Sequence, residues 1–153
     1  MPSLQLIGYT DIMAINFYTH PYYALDNFSA HAIEYEGKLY PTSEHAYQAA
    51  KISDESAREE IRSARSPLEA KHLANEVYRH FRIHRDEAAK IALMEDILRA
   101  KFAQHAEVQD ALKRSGTEKI VEDSPTDYFW GEGADGTGRD ELGKLWIKIR
   151  SES

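Results

Sequence analysis

Three residues of one short segment could do chemistry together. In Glu44-His-Ala-Tyr-Gln-Ala-Ala-Lys51, the side chains of Glu44, Gln48 and Lys51 are spaced i, i+4, i+7. At about 100° per residue they fall within a narrow arc of one helix face. Ala46, Tyr47, Ala49, Ala50 and Ile52 make the rest of the segment apolar, so the helix is expected to be buried on most sides. A carboxyl group in apolar surroundings has a raised pKa and can protonate a leaving group. A lysine is a nucleophile only when neutral, which desolvation or a nearby cation must bring about. A neutral amine attacks carbonyl-like carbons, and C1 of an opened ribose is one. Spacing alone leaves a second option open. The stripe could simply face water, with Glu44 at the positive end of the helix and Lys51 at the negative end.

Two other segments invite a chemical reading. Gly131-Glu-Gly133-Ala-Asp-Gly136-Thr-Gly138 contains G-x-G-x-x-G. A dinucleotide fold needs a strand before this motif and a helix and another strand after it, and only 15 residues follow Gly138. That match is rejected. What survives is a flexible loop whose N–H groups could meet an anion, or an ordinary tight loop. The aromatics Phe17, Tyr18, Tyr22, Tyr23, Phe28, Tyr128, Phe129 and Trp130 could stack on a nucleobase, although most aromatics are core. Trp130 stands out because it adjoins both Asp127 and the glycine loop. The seven histidines are scattered and no H-E-x-x-H occurs, so no metal site is expected; His45 is read as packing or hydrogen-bonding.

The elements that must hold these groups can be read from pattern. Ile15–Tyr18 reads as a short strand and Tyr22–Phe28 as an aromatic loop. Ala32–Tyr40 alternates around Glu36-Gly37 and predicts a hairpin. Thr42 or Ser43 can cap a helix starting near Glu44, and Asp54 can cap Glu55–Ala64. Ser66-Pro67 starts a helix running to about Glu76. A long helix is expected over Asp86–His105, with Ala89, Ile91, Leu93, Met94, Ile97, Leu98 and Phe102 on a broad buried face. Val108–Leu112 predicts a short helical turn, Ile120–Glu122 a small strand, and Asp140–Arg150 a last helix packing Leu142, Leu145, Trp146 and Ile149. The fold class is mainly α with a small β element near the N-terminus, in one domain over residues 1–153.

Composition sets the limits. The chain has 153 residues and no cysteine, which removes disulfides, thiolate metal sites and cysteine nucleophiles. No apolar run approaches the ~20 residues that span a bilayer, and no signal peptide is visible, so a cytoplasmic protein without membrane partners is expected. Twenty-six acids against nineteen Lys and Arg give a net charge of −7. Extensive grip on duplex phosphates usually needs a basic protein, so a small phosphorylated ligand fits better. The excess acid lies in the flanks, because residues 54–119 hold thirteen acids and thirteen bases.

Five ordered blocks carry a resemblance. They are Leu25-Asp-Asn-Phe28, Glu36-Gly-Lys-Leu-Tyr-Pro-Thr-Ser-Glu-His-Ala-Tyr-Gln-Ala-Ala-Lys51, Leu98-Arg-Ala-Lys-Phe102, Ile120 through Gly133, and Gly138-Arg-Asp-Glu-Leu-Gly-Lys-Leu145 with Arg150. Together they resemble the NADAR, or YbiA-like, family from about Ile15 to Arg150. The resemblance implies a mainly helical domain with N-glycosidase activity on ribose-linked bases and no cofactor. The implied substrates are phosphoribosylaminopyrimidine intermediates of riboflavin biosynthesis, or ADP-ribose on guanine of a nucleotide or nucleic acid. It also implies a Schiff base between Lys51 and the sugar, with Glu44 as acidic partner. Asn27, Phe28, Tyr47, Gln48, Asp127, Trp130 and Gly131 are implied to line the substrate pocket.

Three positions depart from the family pattern. Asp26 replaces a usual serine, Asp140 replaces a usual asparagine, and a familiar tryptophan near Asp86 is absent. The two acids add negative charge close to a site expected to hold phosphate, so phosphate affinity or substrate choice is expected to differ from relatives. Arg58, Arg139 and Lys144 are candidate phosphate ligands. A non-catalytic reader of ADP-ribose or nucleotides, and a helical interaction protein using Trp146, are the alternatives to an enzyme. The first predicts that substrate leaves unchanged, and the second that no nucleotide raises the melting temperature.

Overall fold

The computed structural model describes residues 14–16 and 22–153. Phe17 and Tyr18 lie outside the described residues. The chain forms two compact units, one from residues 27–105 and the other from residues up to 26 together with 106–153. No helix among the described residues is long and apolar enough to cross a membrane.

The unit of residues 27–105 begins with the hairpin. β1 (Ala14–Asn16) belongs to the other unit; here β2 (Ile33–Tyr35) pairs antiparallel with β3 (Lys38–Tyr40), Ile33 opposite Tyr40. Glu36 and Gly37 both have positive φ (50° and 80°), the backbone that a two-residue turn requires if its twist is to match the strands. Four helices follow: α1 (Ser43–Ala50), α2 (Glu55–Arg62), α3 (Pro67–His72) and α4 (Glu87–Gln104). Thr42, Asp54, Ser66 and Asp86 each accept a first-turn N–H with the side chain, which fixes where each helix starts. α3 does not simply continue to Glu76. Leu73–Val77 widens into a π-helical turn, which carries Asn75.

The buried face of α4 is narrower than its apolar residues suggest. Met94, Ile97, Leu98 and Lys101 are buried, at spacing i, i+3, i+4, i+7. Ala89 is exposed, and Ile91, Leu93 and Phe102 are only half-buried. The first turns of α4 therefore stand at the surface, and a lysine occupies the fourth place on the apolar stripe.

In the other unit, β1 pairs in parallel with β4 (Lys119–Val121), Ile15 opposite Ile120. Tyr22–Leu25 forms a 3-10 turn rather than an open loop. α5 runs from Ala106 to Ser115, longer than the turn expected at Val108–Leu112. Its buried residues Val108, Ala111, Leu112 and Ser115 form one face of helical period, and that face stabilises the added turns. α6 (Glu141–Ser151) buries Leu142, Leu145, Trp146 and Ile149 as the periodicity requires, and the Trp146 indole N–H donates to the Leu25 carbonyl at 2.9 Å.

Asp140 starts α6 from the left-handed region, φ 51°. Asn and Asp tolerate that region better than other side chains, so Asp140 keeps the conformational use of the family's asparagine. Its Oδ1 accepts the Glu122 N–H at 2.9 Å, tying the end of β4 to the start of α6. Burial, with the Glu132 carboxylate adding to it, raises its pKa from 3.8 to about 7, against the pull of the Glu122 N–H. In the unfolded chain the group ionises near its ordinary value. Between the two values the folded chain holds a proton that the unfolded chain has lost. Stability therefore falls as pH rises from about 4 to 7, by on the order of 4 kcal/mol in total, and stays lost above. Asp140→Asn should remove that slope. The variant is expected to melt higher than the parent at pH 8 and to lose the advantage by pH 4. Parallel curves of Tm against pH would refute the assignment.

Candidate active site

Local sequence explains how α1 is aimed. Thr42 Oγ1 accepts the His45 N–H at 3.1 Å and contacts His45 Nδ1 at 2.8 Å. His45 Nε2 meets the Ala64 carbonyl at 3.0 Å. A carbonyl only accepts, so Nε2 carries the proton and the threonine hydroxyl donates to Nδ1. Burial holds the His45 pKa below its ordinary value, which keeps this neutral tautomer in place. Asn27 anchors the same helix end. Its carbonyl accepts the Glu44 N–H at 3.1 Å, and its Oδ1 accepts from Ser43 Oγ at 2.9 Å. Its side-chain N–H group points at Met94 Sδ, 3.5 Å away.

The Glu44, Gln48, Lys51 stripe does not face water. Every residue from Ser43 to Ala49 is buried, with Glu44 7% exposed and Gln48 3%. Gln48 Nε2 donates to Glu44 Oε1 at 2.7 Å, and Gln48 Oε1 accepts from Lys51 Nζ at 2.9 Å. Lys51 Nζ also donates to Asn75 Oδ1 at 2.7 Å and lies 5.5 Å from the centre of the Tyr47 ring. A carboxyl, an amide and an amine thus form one continuous chain along the helix.

The amine is tuned toward its neutral form. Burial is the main cause, Arg82 the next, and Lys90 and Lys71 add to it, while Glu44 works in the opposite sense; the net result is a pKa lowered from 10.5 to about 8. At pH 7.5 roughly a quarter of such amines are neutral, against about one in a thousand at the ordinary value. A neutral amine keeps two N–H bonds. Two amide oxygens, Gln48 Oε1 and Asn75 Oδ1, can accept both, which leaves the lone pair directed away from them. Neutral acceptors orient the nitrogen without the penalty to the lone pair that a contacting carboxylate would bring by locking the ammonium form.

Glu44, Tyr47, Gln48, Lys51 and Asn27 therefore lie in one unit, on α1 or at its entry, with Phe28 half-buried beside Asn27 in the chain. Asp127, Trp130 and Gly131 belong to the other unit. Asp127 Oδ1 accepts the N–H groups of Phe129 and Trp130 at 2.9 and 2.7 Å, a side-chain-closed turn. Trp130 is half-buried and meets the Phe129 ring edge-on at 4.8 Å. A Cβ at Gly131 would lie 2.7 Å from the Glu122 carbonyl oxygen, so only glycine fits there. The glycine loop bonds to itself and to β4: Gly138 N–H reaches the Glu132 carbonyl at 2.7 Å, and Glu132 N–H the Glu122 carbonyl at 3.0 Å. It is an ordinary tight loop.

The three candidate phosphate ligands keep other company. Arg58 lines a surface hollow with Glu36, Glu55 and Glu59. Arg139 lies 4.7 Å from the Phe129 ring centre and 3.6 Å from Glu141, and Lys144 is 3.3 Å from Glu141. Carboxylates at these distances repel an arriving anion. His80 and His84 are four apart, but a 3-10 turn and then extended chain separate them. Among the described residues no group of three or more His, Asp or Glu could hold a metal.

Sequence reasoning overlooked Asn75, Arg82 and the pair Ser29 and Lys101. Lys101 is fully buried, and its Nζ donates to Ser29 Oγ at 2.9 Å. Its place on the apolar stripe of α4 was a readable signal of burial. Asn75 had none, because a π turn leaves no clear mark in sequence.

Comparison with known proteins places this geometry. The profile of the NADAR domain matches residues 16–152. The chain is 40% identical over 140 residues to N-glycosidase YbiA of Escherichia coli, a match covering 90% of this chain and 87% of that one. The NMR structure of E. coli YbiA superposes with a TM-score of 0.78 at 39% identity, covering 91% of this chain and 83% of that one. A riboflavin biosynthesis protein of Vibrio vulnificus is 35% identical over 128 residues, covering 84% of this chain and 35% of the longer relative. The mainly helical fold and the ordered motifs agree with these matches, and this chain belongs to the NADAR domain family.

Proposed function

We propose that the chain is an N-glycosidase that cleaves the bond between a base nitrogen and C1 of a ribose, with Lys51 as nucleophile and Glu44 as acid. One observation carries this reading. The Lys51 amine is half-buried, lowered to about 8, and held by two amide oxygens at the end of a chain that begins at a buried carboxyl. Family membership and the N-glycosidase name of the E. coli relative support the reaction class.

In the proposed sequence the neutral Lys51 attacks C1 as the bond to the base breaks. Glu44 gives its proton to the departing nitrogen. The sugar on Lys51 then opens, the amine proton passing to the ring oxygen, to give an imine. Water adds to the imine carbon, a proton from that water returns to Glu44, and the Lys51 amine leaves, releasing the sugar with its phosphate or diphosphate still attached. Gln48 moves no proton; it fixes the distance between acid and amine. The substrate class is a phosphoribosylated aminopyrimidine, which the riboflavin biosynthesis name of the Vibrio relative supports, with guanine-linked ADP-ribose as the other member.

Borohydride added during turnover should leave reduced sugar on Lys51, and Lys51→Ala should lose both the adduct and at least about a hundredfold in rate. An active Lys51→Ala enzyme refutes the Schiff base. Release of free base separates this reading from a non-catalytic binding module.

The acid–base profile gives a second test. Turnover needs a neutral amine and a protonated acid at once, so kcat/KM should be bell-shaped in pH and fall above about 8, where the pair loses its second proton. Glu44→Gln removes the carboxylate that favours the charged amine, so it should leave a single rise with pH whose midpoint lies below 8. It should also lower the maximal kcat/KM about a hundredfold or more, because the proton donor is gone. An upward shift or an unchanged maximum would contradict the assigned roles.

A further inference from the structure

Resting on the N-glycosidase reading, we propose that Arg82 forms the phosphate subsite of this enzyme, holding the 5-phosphate of the ribose whose C1 meets Lys51.

The backbone puts Arg82 there. Ile52 and Arg82 form an antiparallel bridge, flanked by Ile83 N–H to the Lys51 carbonyl at 2.8 Å and Ser53 N–H to the Phe81 carbonyl at 2.9 Å. Segment 81–83 is thus laced to the segment that carries Lys51. Arg85 Nη2 secures it further by donating to the Ala50 carbonyl at 3.2 Å. Arg85 Nη1 is buried and has no acceptor among the described residues. This end of α1 therefore holds positive charge and a donor that no group among the described residues answers.

The charge pattern favours an anion. Arg82, Lys71 and Lys90 all act on the Lys51 amine in the same sense, each repelling its proton. Arg82 and Lys71 are exposed and form no ion pair among the described residues. Gathering cations around a half-buried amine is unfavourable by itself. It becomes favourable when a phosphate arrives, because charge-assisted bonds to an arginine fork are strong and directional. The arrangement is also polar along α1. Glu44 stands at the N-terminal end, Lys51 near the C-terminal end, and the cations act at the Lys51 end. A ribose with its base toward Glu44 and its 5-phosphate toward Arg82 presents C1 between them. Both substrate groups carry phosphorus at that same ribose carbon, a monoester in one and a diphosphate in the other, so the shared chemistry is a 5-phosphorylated pentose.

The test uses the intact protein and Arg82→Gln, Arg82→Lys and Lys71→Gln, all surface changes. Borohydride trapping is run with ribose, ribose 5-phosphate and ADP-ribose, each of which offers an aldehyde at C1 on ring opening. Lys51 adds to that aldehyde, water leaves, and hydride reduces the imine to a stable secondary amine. The native protein should trap the phosphorylated sugars at least about tenfold better than ribose. Whether ribose 5-phosphate or ADP-ribose traps best identifies the monoester or the diphosphate as the natural partner. Arg82→Gln should abolish the preference and raise KM about tenfold or more with a smaller change in kcat, Lys71→Gln should reduce it, and Arg82→Lys should restore part of it. Arg82→Gln should also move the falling limb of kcat/KM above 8, since a repelling cation is gone, while Arg82→Lys keeps it. Inorganic phosphate, titrated separately, should bind the native protein and lose about tenfold in affinity with Arg82→Gln. An unchanged sugar preference together with unchanged phosphate affinity overturns the subsite. No trapping on the native protein, with phosphate binding still dependent on Arg82, overturns the Schiff base and leaves the subsite standing.

Discussion

The site rests on one balance, the cost of keeping a charged amine away from water against the few groups that would keep it charged. Lys51 is surrounded so that its proton is held weakly. Burial and three cations act against the proton, and only the Glu44 carboxylate acts for it. The direct hydrogen-bond partners of Lys51 are amide oxygens, which accept from an amine in either protonation state. A carboxylate in direct contact would have restored the ammonium. The insertion of Gln48 between Glu44 and Lys51 is therefore as important as either end of the chain.

That balance depends on the rigidity of α1. The helix is short, eight residues, and could not hold its shape alone. Its entry is fixed three times over, by the Thr42 cap, by the neutral His45 bridging Thr42 and Ala64, and by Asn27. The Asn27 oxygens are thus engaged in holding the helix, which makes it a positioning residue for Glu44 through the Glu44 N–H. At the exit, the bridge to segment 81–83 and the Arg85 guanidinium take up backbone groups of residues 50–53. The same contacts that satisfy a helix end bring cations to the amine.

Much of this was legible in sequence because it is local. Caps at Thr42, Asp54, Ser66 and Asp86, the Glu36-Gly37 turn and the apolar face of α6 all follow from residue type and spacing. The i, i+4, i+7 stripe was equally plain, but its surroundings were not, since a stripe facing water and a stripe sealed in a core have the same spacing. Lys101 shows the converse: its position marked it as buried while its residue type argued otherwise. Asn75 and Arg82 reach Lys51 from 24 and 31 residues away in the chain, and only the fold brings them there. Residues that tune a pKa act through space, and no local pattern records them.

Net charge proved a poor guide to charge at the site. The chain carries −7, and Asp26 and Asp140 both contribute to it. Yet both side chains are buried, at 5% exposure, and Asp140 holds its proton to about pH 7. Fields at a reacting group are set by charges within about a Debye length and are screened beyond it, ~8 Å at physiological salt. Over residues 71–90 the chain has five Lys and Arg against three acids, so its sign there is opposite to the whole. The cations that act on Lys51 thus come from a stretch whose charge runs against that of the whole chain.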